Sequence, residues 1–279
     1  MMRSGVDRAA TAPHYSITML APAKIKVRER THKENLGQFL TPTEVSDFIA
    51  SLLTALPAHV RLLDAGAGAG ALTAALVRRA CQPSSGVRRI DVLAYEIDPS
   101  ILPALRRTLA ECEARCLAND IVFKAEIRHA DFIQEMSSSL SGGLFSAIPP
   151  SINVALVNPP YKKIQTTSPE RLALRAVGLE TSNLYTGFVG LLARVLEPGG
   201  QLAAITPRSF CNGPYFRPFR EDFLEMMRLH RLHVYDSRAA AFSTDEVLQE
   251  NVVFHAVKGG AQPKHIIVSS SSGATGASV

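Results

Sequence analysis

Asn158-Pro159-Pro160-Tyr161 stands directly behind the apolar run INVALV. Proline lacks a backbone N–H and holds the residue before it out of the helical region, so a strand ending this way closes in a rigid, extended turn. Such a turn is rich in hydrogen-bond acceptors. An exocyclic amine on a nucleobase is a poor nucleophile, because its lone pair is delocalised into the ring. When the Asn158 side-chain oxygen and the Pro159 carbonyl each accept one of its N–H groups, the nitrogen is drawn toward tetrahedral geometry and its lone pair turns toward an electrophile. Tyr161 adds a flat surface on which a ring can stack.

Three further groups could place the partner of that reaction. In LLDAGAGAG, residues 62–70, Gly66, Gly68 and Gly70 lie between a predicted strand and a predicted helix, where missing side chains let a ligand approach the backbone. The pyrophosphate of a dinucleotide and the amino-acid end of S-adenosylmethionine both suit such a loop. The next strand ends in YEID, which puts the Glu96 carboxylate beside the glycines, able to accept from both hydroxyls of a ribose. HADF, residues 129–132, ends a third predicted strand in Asp131 and Phe132. Asp131 can accept from an adenine amine, Phe132 can face the adenine ring, and Ile97 can close its other side. Taken alone, Asp131 reads more readily as a strand-end cap and Phe132 as a core aromatic; it is three acids at three successive strand ends that point to a ligand.

The elements that must carry these residues follow from periodicity. TPTEVSDFIASLLTAL reads as a helix with Val45, Phe48, Ile49, Leu52 and Leu53 on one face. VRLLDAG, IDVLAYEID, IVFKAEIRHADF, INVALV, QLAAITP, RLHVYD and NVVFHAVK read as strands, with helices over 71–80, from the proline of DPSILP to about Asn119, and across LYTGFVGLLARVLEPGG. Strands alternating with helices predict βαβ units and a mainly parallel α/β sheet covered on both faces. Residues 136–151 read as a serine- and glycine-rich loop, and 259–279 as a low-complexity tail ending in SSSSGATGASV. Residues 1–35 are small and polar at first, then basic at KIKVRERTHK, and read as a mobile segment.

Composition narrows the class of protein. The chain has 279 residues, 46% hydrophobic and 20% charged, with a net charge of +5, which fits one main domain and permits a polyanionic partner. Cys81, Cys112, Cys116 and Cys211 match no zinc spacing and are too few and scattered for a disulfide scaffold. No metal is expected. No apolar run approaches the ~20 residues of a membrane span, and the start lacks a signal-peptide core. A bacterial cytoplasm is the expected compartment.

These motifs together resemble the N6-adenine DNA methyltransferases of restriction-modification systems, in the subgroup where cofactor motifs precede the catalytic motif. The likeness runs from about Leu36 to Lys258. GQFLTPTEVSDFIASLL is similar to the family's N-terminal cofactor element, which implies Thr41 and Pro42 beside the methionine moiety. DAGAGAG, opened by Asp64, resembles the glycine motif, EID the ribose acid, ADF the adenine pair, NPPY the catalytic tetrapeptide and SNLYTGF the helix closing the cofactor pocket. DSRAAAFSTDEVLQENVVF resembles the segment whose aromatic residue stacks on the flipped base, which points to Phe242, with Phe210 of TPRSF as a more structural counterpart.

The resemblance implies a seven-stranded, Rossmann-like S-adenosylmethionine-dependent methyltransferase fold over 36–258. It implies a cofactor set of Thr41, Pro42, Asp64, Gly66, Gly68, Gly70, Glu96, Ile97, Asp131, Phe132 and Asn158. It also implies catalysis by Asn158, Pro159, Pro160 and Tyr161 on an adenine flipped out of double-stranded DNA between Tyr161 and Phe242. The family continues into a base-reading domain, which residues 259–279 are too short to form; a separate recognition subunit or further domain is then expected. Lys162, Lys163, Arg208, Arg217, Arg220 and Arg238 are candidates for phosphate contacts. Two rival readings are an N-methyltransferase acting on protein glutamine or ribosomal RNA, and a cofactor-binding fragment without catalysis. A nicotinamide oxidoreductase ranks last, since the Asn-Pro-Pro-Tyr turn has no task in hydride transfer.

Overall fold

Short apolar runs recur along the chain, and in the computed structural model they assemble into one eight-stranded sheet. The structure describes residues 41–142, 151–235 and 251–271, all within the compact unit Leu36–Val279. Its elements in order are α1 Thr43–Ser51, β1 His59–Ala65, α2 Ala71–Ala80, β2 Arg89–Tyr95, α3 Leu102–Leu117, β3 Val122–Arg128, α4 Phe132–Ser141, β4 Ile152–Val157, α5 Pro169–Ala176, α6 Leu184–Val195, β5 Leu196–Pro207, α7 Arg217–Met226, β6 Met227–Tyr235, β7 Asn251–Lys258 and β8 Ile267–Ser271.

The strand order is β3-β2-β1-β4-β5-β7-β6-β8. β7 runs antiparallel between β5 and β6, and the remaining pairings are parallel. β4 is buried along its whole length, which is why it reads as an unbroken apolar run rather than an alternating one. Its successive side chains go to opposite faces. Val154 and Leu156 join Ile49, Leu76 and Leu105 in one core layer under α1, α2 and α3. Ala155 and Val157 join Met136, Leu191 and Phe219 in the other, under α4, α6 and α7. From β1 the chain proceeds outward through β2 and β3, then returns to β4 on the other side of β1. That reversal leaves a crevice at the carboxyl ends of β1 and β4, the place where open α/β sheets bind ligands.

Three expectations need correction. β3 stops at Arg128, short of Asp131 and Phe132. Asp131 is instead the N-cap of α4, its carboxylate accepting the Gln134 amide at 3.1 Å, and α4 occupies the first part of the expected 136–151 loop. Phe132, Ile133 and Met136 are buried on its inner face, so tertiary burial outweighs a serine-rich composition with little helical preference of its own. Second, residues 267–271 belong to an eighth strand rather than to a low-complexity tail. β6 offers them an open parallel edge, and His233 binds the Ser269 and Ser271 hydroxyls at 2.9 and 3.0 Å. Third, α5 and α7 escaped the periodicity reading. Ser168 caps α5 through the Arg171 amide, and α7 buries only Phe219 and Phe223, so their apolar signals are thin.

Candidate active site

The glycine loop turns the chain from β1 into α2. Gly66, Gly68 and Gly70 all have positive φ, at 78°, 55° and 86°. At Gly70 a Cβ would lie 3.0 Å from Thr108 Cγ2 and 3.1 Å from Leu105 Cδ1, so both the backbone angle and the packing select glycine. Gly68 differs, because a Cβ there would meet nothing within 4 Å. The loop is fastened to the end of β2, with the Gly66 and Ala67 amides both donating to the Tyr95 carbonyl, at 3.0 and 2.8 Å.

Glu96 follows β2 and is 1% exposed. Its carboxylate accepts the Gly68 amide at 2.8 Å and the Asp98 amide at 2.7 Å, so it ties the glycine loop to the β2 exit. Ile97 beside it is 45% exposed, an open apolar face at the edge of the crevice. Asp64, near the end of β1, is fully buried. One of its oxygens accepts the Thr73 hydroxyl at 2.6 Å; the other, Oδ1, has no hydrogen-bond partner among the described residues. Burial pushes its pKa up to about 6, against the Thr73 hydrogen bonds that hold it down, with a smaller upward push from the Glu96 charge. A buried carboxylate oxygen without a donor is rare in a folded protein and suits a cationic or hydrogen-bonding ligand.

Asp131 has its carboxyl pushed up by burial, and one of its oxygens caps α4. Phe132 is 3% exposed and packs at 5.3 Å from the Tyr95 ring and 5.0 Å from Phe188. Phe188 in turn lies 3.6 Å from where a Gly66 Cβ would stand. The structure thus joins Phe132 to the glycine loop through Phe188 of α6.

At the end of β4, the Asn158 amide nitrogen donates to the Thr41 hydroxyl at 3.0 Å, and the Tyr161 hydroxyl donates to Asn158 Oδ1 at 3.2 Å. Thr41, just ahead of α1, is therefore brought to the Asn158–Tyr161 turn across more than a hundred residues of chain. The Tyr161 ring meets Tyr185 of α6 edge to face at 6.4 Å. Burial, and secondarily Tyr185, raises the Tyr161 hydroxyl pKa, so it stays protonated. Tyr185 is itself held by Ser209, its hydroxyl 3.0 Å from the serine Oγ. After the turn the chain pairs with the entry to α6: Lys163 bridges Asn183, Leu184 N donates to the Lys162 carbonyl and Ile164 N to the Ser182 carbonyl, both at 2.8 Å.

Thr73, Tyr185 and Ser209 were not singled out from sequence. The ring spacing in LYTGF, with Tyr185 and Phe188 on one helix face, was the available signal for Tyr185. Among the basic candidates, Arg220 donates to the Phe210, Asn212 and Gly213 carbonyls, and Arg217 pairs with Glu221. Lys162 and Lys163 have exposed side chains. Phe210 packs at 6.0 Å from Phe219 and 5.7 Å from Phe254, against the core. Phe242 and Arg238 lie outside the described residues. No group of three or more His, Cys, Asp or Glu placed to hold a metal occurs among the described residues, and no helix among them is long and apolar enough to cross a membrane.

Residues 127–242 match the family described as Eco57I restriction-modification methylase. That span of the chain is similar to an Eco57I-type methylase domain. The matched span holds Asp131, the Asn158–Tyr161 turn, α6 and Phe210, while the glycine loop and Glu96 precede it. The sequence is 42% identical over 243 residues to the type II methyltransferase M.PstI of Providencia stuartii, covering 87% of this chain and 47% of the relative. It is 40% identical over 234 residues to M.BsuBI of Bacillus subtilis, covering 83% and 45%. The chain thus spans about half the length of the curated relatives it matches. A Listeria monocytogenes protein assigned to the class I S-adenosylmethionine-dependent methyltransferases superposes with a TM-score of 0.66 at 15% identity, over 89% of this chain and 71% of its own. The fold of the described residues is therefore that seen in S-adenosylmethionine-dependent methyltransferases, enlarged by β8.

Proposed function

We propose that this chain transfers a methyl group from S-adenosylmethionine to the N6 amine of an adenine in double-stranded DNA, as the modification component of a restriction-modification system. The observation that carries the reading is the Asn158 amide, held with its nitrogen on Thr41 and its oxygen on the Tyr161 hydroxyl. That arrangement sets an acceptor at the hydroxyl end of the Tyr161 ring. A base stacked on the ring would hand its amine to Asn158 Oδ1 and the Pro159 carbonyl.

The residues of the crevice fit the cofactor. Asp64 Oδ1, buried without a donor, would accept from the methionine ammonium, with Thr41 and Pro42 bordering the same moiety. Gly66, Gly68 and Gly70 leave the backbone open to it. Glu96 would take the ribose hydroxyls, Asp131 the adenine amine, and the exposed Ile97 one face of the ring, with Phe132 supporting the wall from within. Bound there, the cofactor supplies an electrophilic methyl group on its sulfonium. The protein's own part is positioning and electrostatics: Asn158 and Pro159 orient the amine, Tyr161 holds the ring, and no residue of the turn acts as a strong base.

Relatives about twice as long as the matched region support a recognition element beyond residues 41–271, in a further domain or a partner subunit. The exposed Lys162 and Lys163 would hold phosphates without reading sequence.

The test is transfer of labelled methyl from S-adenosylmethionine to duplex DNA, followed by nucleoside analysis. Label in N6-methyladenine, reduced by a factor on the order of 10²–10³ or more in Asn158→Ala with cofactor affinity nearly unchanged, is the expected result. Label in ribosomal RNA or protein glutamine instead would reassign the substrate, and an Asn158→Ala variant with near wild-type turnover would remove the proposed acceptor role.

A further inference from the structure

Tyr161 is the inner end of a run of rings that reaches the surface. Its ring contacts Tyr185 at 6.4 Å, Tyr185 contacts Phe216 at 5.8 Å, and Phe216 contacts Tyr215 at 4.9 Å with the planes at 87°. Tyr215 is 62% exposed. A large aromatic face left in water at the end of such a run is available to stack on a flat partner.

The loop that carries Tyr215 is fixed rather than loose. Arg220 donates to the carbonyls of Phe210, Asn212 and Gly213, and the Arg217 amide donates to the Pro214 carbonyl at 3.1 Å. The Tyr215 hydroxyl is also hydrogen-bonded to Ser182. Ser182 sits on the segment that pairs with residues 162–164 behind the catalytic turn, so the exposed ring is tethered to the same strip of chain that presents Lys162 and Lys163. A held flat ring beside exposed cations, next to a stacking site for one base, matches the chemistry of a nucleic-acid strand, with π-faces at intervals along a chain of phosphates.

We propose that Tyr215 is a positioning residue whose ring stacks on a base close to the target in the strand that carries it, so that the strand is gripped at two rings, Tyr161 and Tyr215. The proposal rests on the nucleobase reading of the Asn158–Tyr161 turn. Tyr215 touches no reacting atom. Its contribution is to the binding and register of the strand, and it falls on KM more than on the methyl-transfer step.

Two measurements test it. In the first, duplexes carrying 5-iodouracil at single positions on either side of the target are irradiated in complex with the full chain, and the cross-linked residue is mapped by mass spectrometry. A cross-link to Tyr215 from one or two neighbouring positions is expected; cross-links only elsewhere would overturn the proposal, whatever the activity. In the second, methyl transfer is compared for wild type, Tyr215→Ala and Tyr215→Phe. Loss of one stacked base corresponds to a roughly 5- to 150-fold fall in kcat/KM, carried by KM, and Tyr215→Phe, which restores the ring without the Ser182 hydrogen bond, should recover the wild-type value. The Ala penalty should vanish on a duplex made abasic at the cross-linked position. Equal losses in the Phe and Ala variants would mean that the Ser182 clasp is what matters, and a penalty indifferent to abasic sites would mean a structural role; either defeats the proposal. Wild-type transfer to a substrate other than DNA would instead defeat the underlying reading of the site, and this proposal with it.

Discussion

At the scale of single residues, the site is made of side chains already engaged with one another. The Tyr161 hydroxyl occupies Asn158 Oδ1 at 3.2 Å, the atom proposed to receive the target amine, so the incoming base must displace it or share the oxygen with it. A neutral hydrogen bond has a net worth of about 0.5–1.5 kcal/mol, so its removal should be tolerated. Tyr161→Phe is expected to keep kcat within a few-fold of wild type with an equal or lower KM for DNA, whereas Tyr161→Ala should lose the stacking surface and most of the activity; steady-state transfer assays separate the two. Asp64 offers a sharper contrast. Desolvation raises its pKa from 3.8 to about 6, so the ionised form costs the apo fold roughly 2–3 kcal/mol at neutral pH. Asp64→Asn should therefore raise the apo melting temperature while weakening the binding of S-adenosylmethionine, by calorimetry, at least tenfold. A variant that gains stability and keeps its affinity would show that Asp64 does not meet the ammonium. The residue types at these positions were legible from the chain, because a proline pair, three close glycines and acids after apolar runs leave few alternatives. The Asp64 orphan, and the partners Thr73, Tyr185 and Ser209, were not legible. Each depends on what a separate helix or loop brings near.

At the scale of elements, strands were easier to place than helix boundaries. β4 and β7 are mostly apolar runs, and their burial follows largely from that composition. α2 was readable to its ends, since a glycine with positive φ opens it and a cysteine-glutamine-proline run closes it. α4 was hidden because SSSLS has weak helical preference, and it forms through one side-chain cap and a buried stripe of Phe132, Ile133 and Met136. The entry to α2 gives a prediction at this scale. Gly70→Ala places a side chain at φ +86° and about 3 Å from Thr108 and Leu105, which should cost roughly 1–3 kcal/mol. Thermal unfolding should move down by several degrees, and cofactor affinity should fall with the displaced loop. Gly68→Ala has open space around its Cβ and carries only the backbone strain, so the smaller loss of stability in that variant is the control. An equal loss in both would mean that packing at Gly70 contributes nothing.

At the scale of the whole molecule, two buried groups on the same face of the sheet oppose each other in acid. His255 is fully buried in the β5–β7 pairing, donating from Nε2 to Gln201 Oε1 at 2.9 Å, with Nδ1 lacking a partner among the described residues. Burial first, then the charges of His230, Arg231 and Arg79, lower its pKa from 6.5 to about 4. The unfolded chain takes up this proton below pH 6.5 and the fold does not, so His255 removes stability as pH falls from 6.5 to about 4, by about 3 kcal/mol in total. Asp64 acts in the reverse sense. The fold takes up its proton near pH 6 and the unfolded chain only near 3.8, so stability is gained over nearly the same window. The two should largely cancel in wild type. Urea unfolding at pH 4.5 and 7 should show Asp64→Asn losing more stability in acid than wild type, and His255→Leu losing less. Parallel profiles in all three proteins would mean that neither group titrates as its burial implies.

By itself the sequence determined that alternating strands and helices build a parallel-rich sheet, and that an acceptor turn, a glycine loop and acids lie at the strand ends. It did so because those properties are local: periodicity, proline geometry and missing side chains act within a few residues. Only the tertiary structure decided that Thr41 reaches Asn158, that Phe188 links the glycine loop to Phe132, that Asp131 spends one oxygen on a cap, and that an eighth strand adds to β6. Each of those is a meeting between segments far apart in the chain, settled by which surfaces the folded sheet leaves open and which it buries. A linear pattern carries no direct record of that geometry.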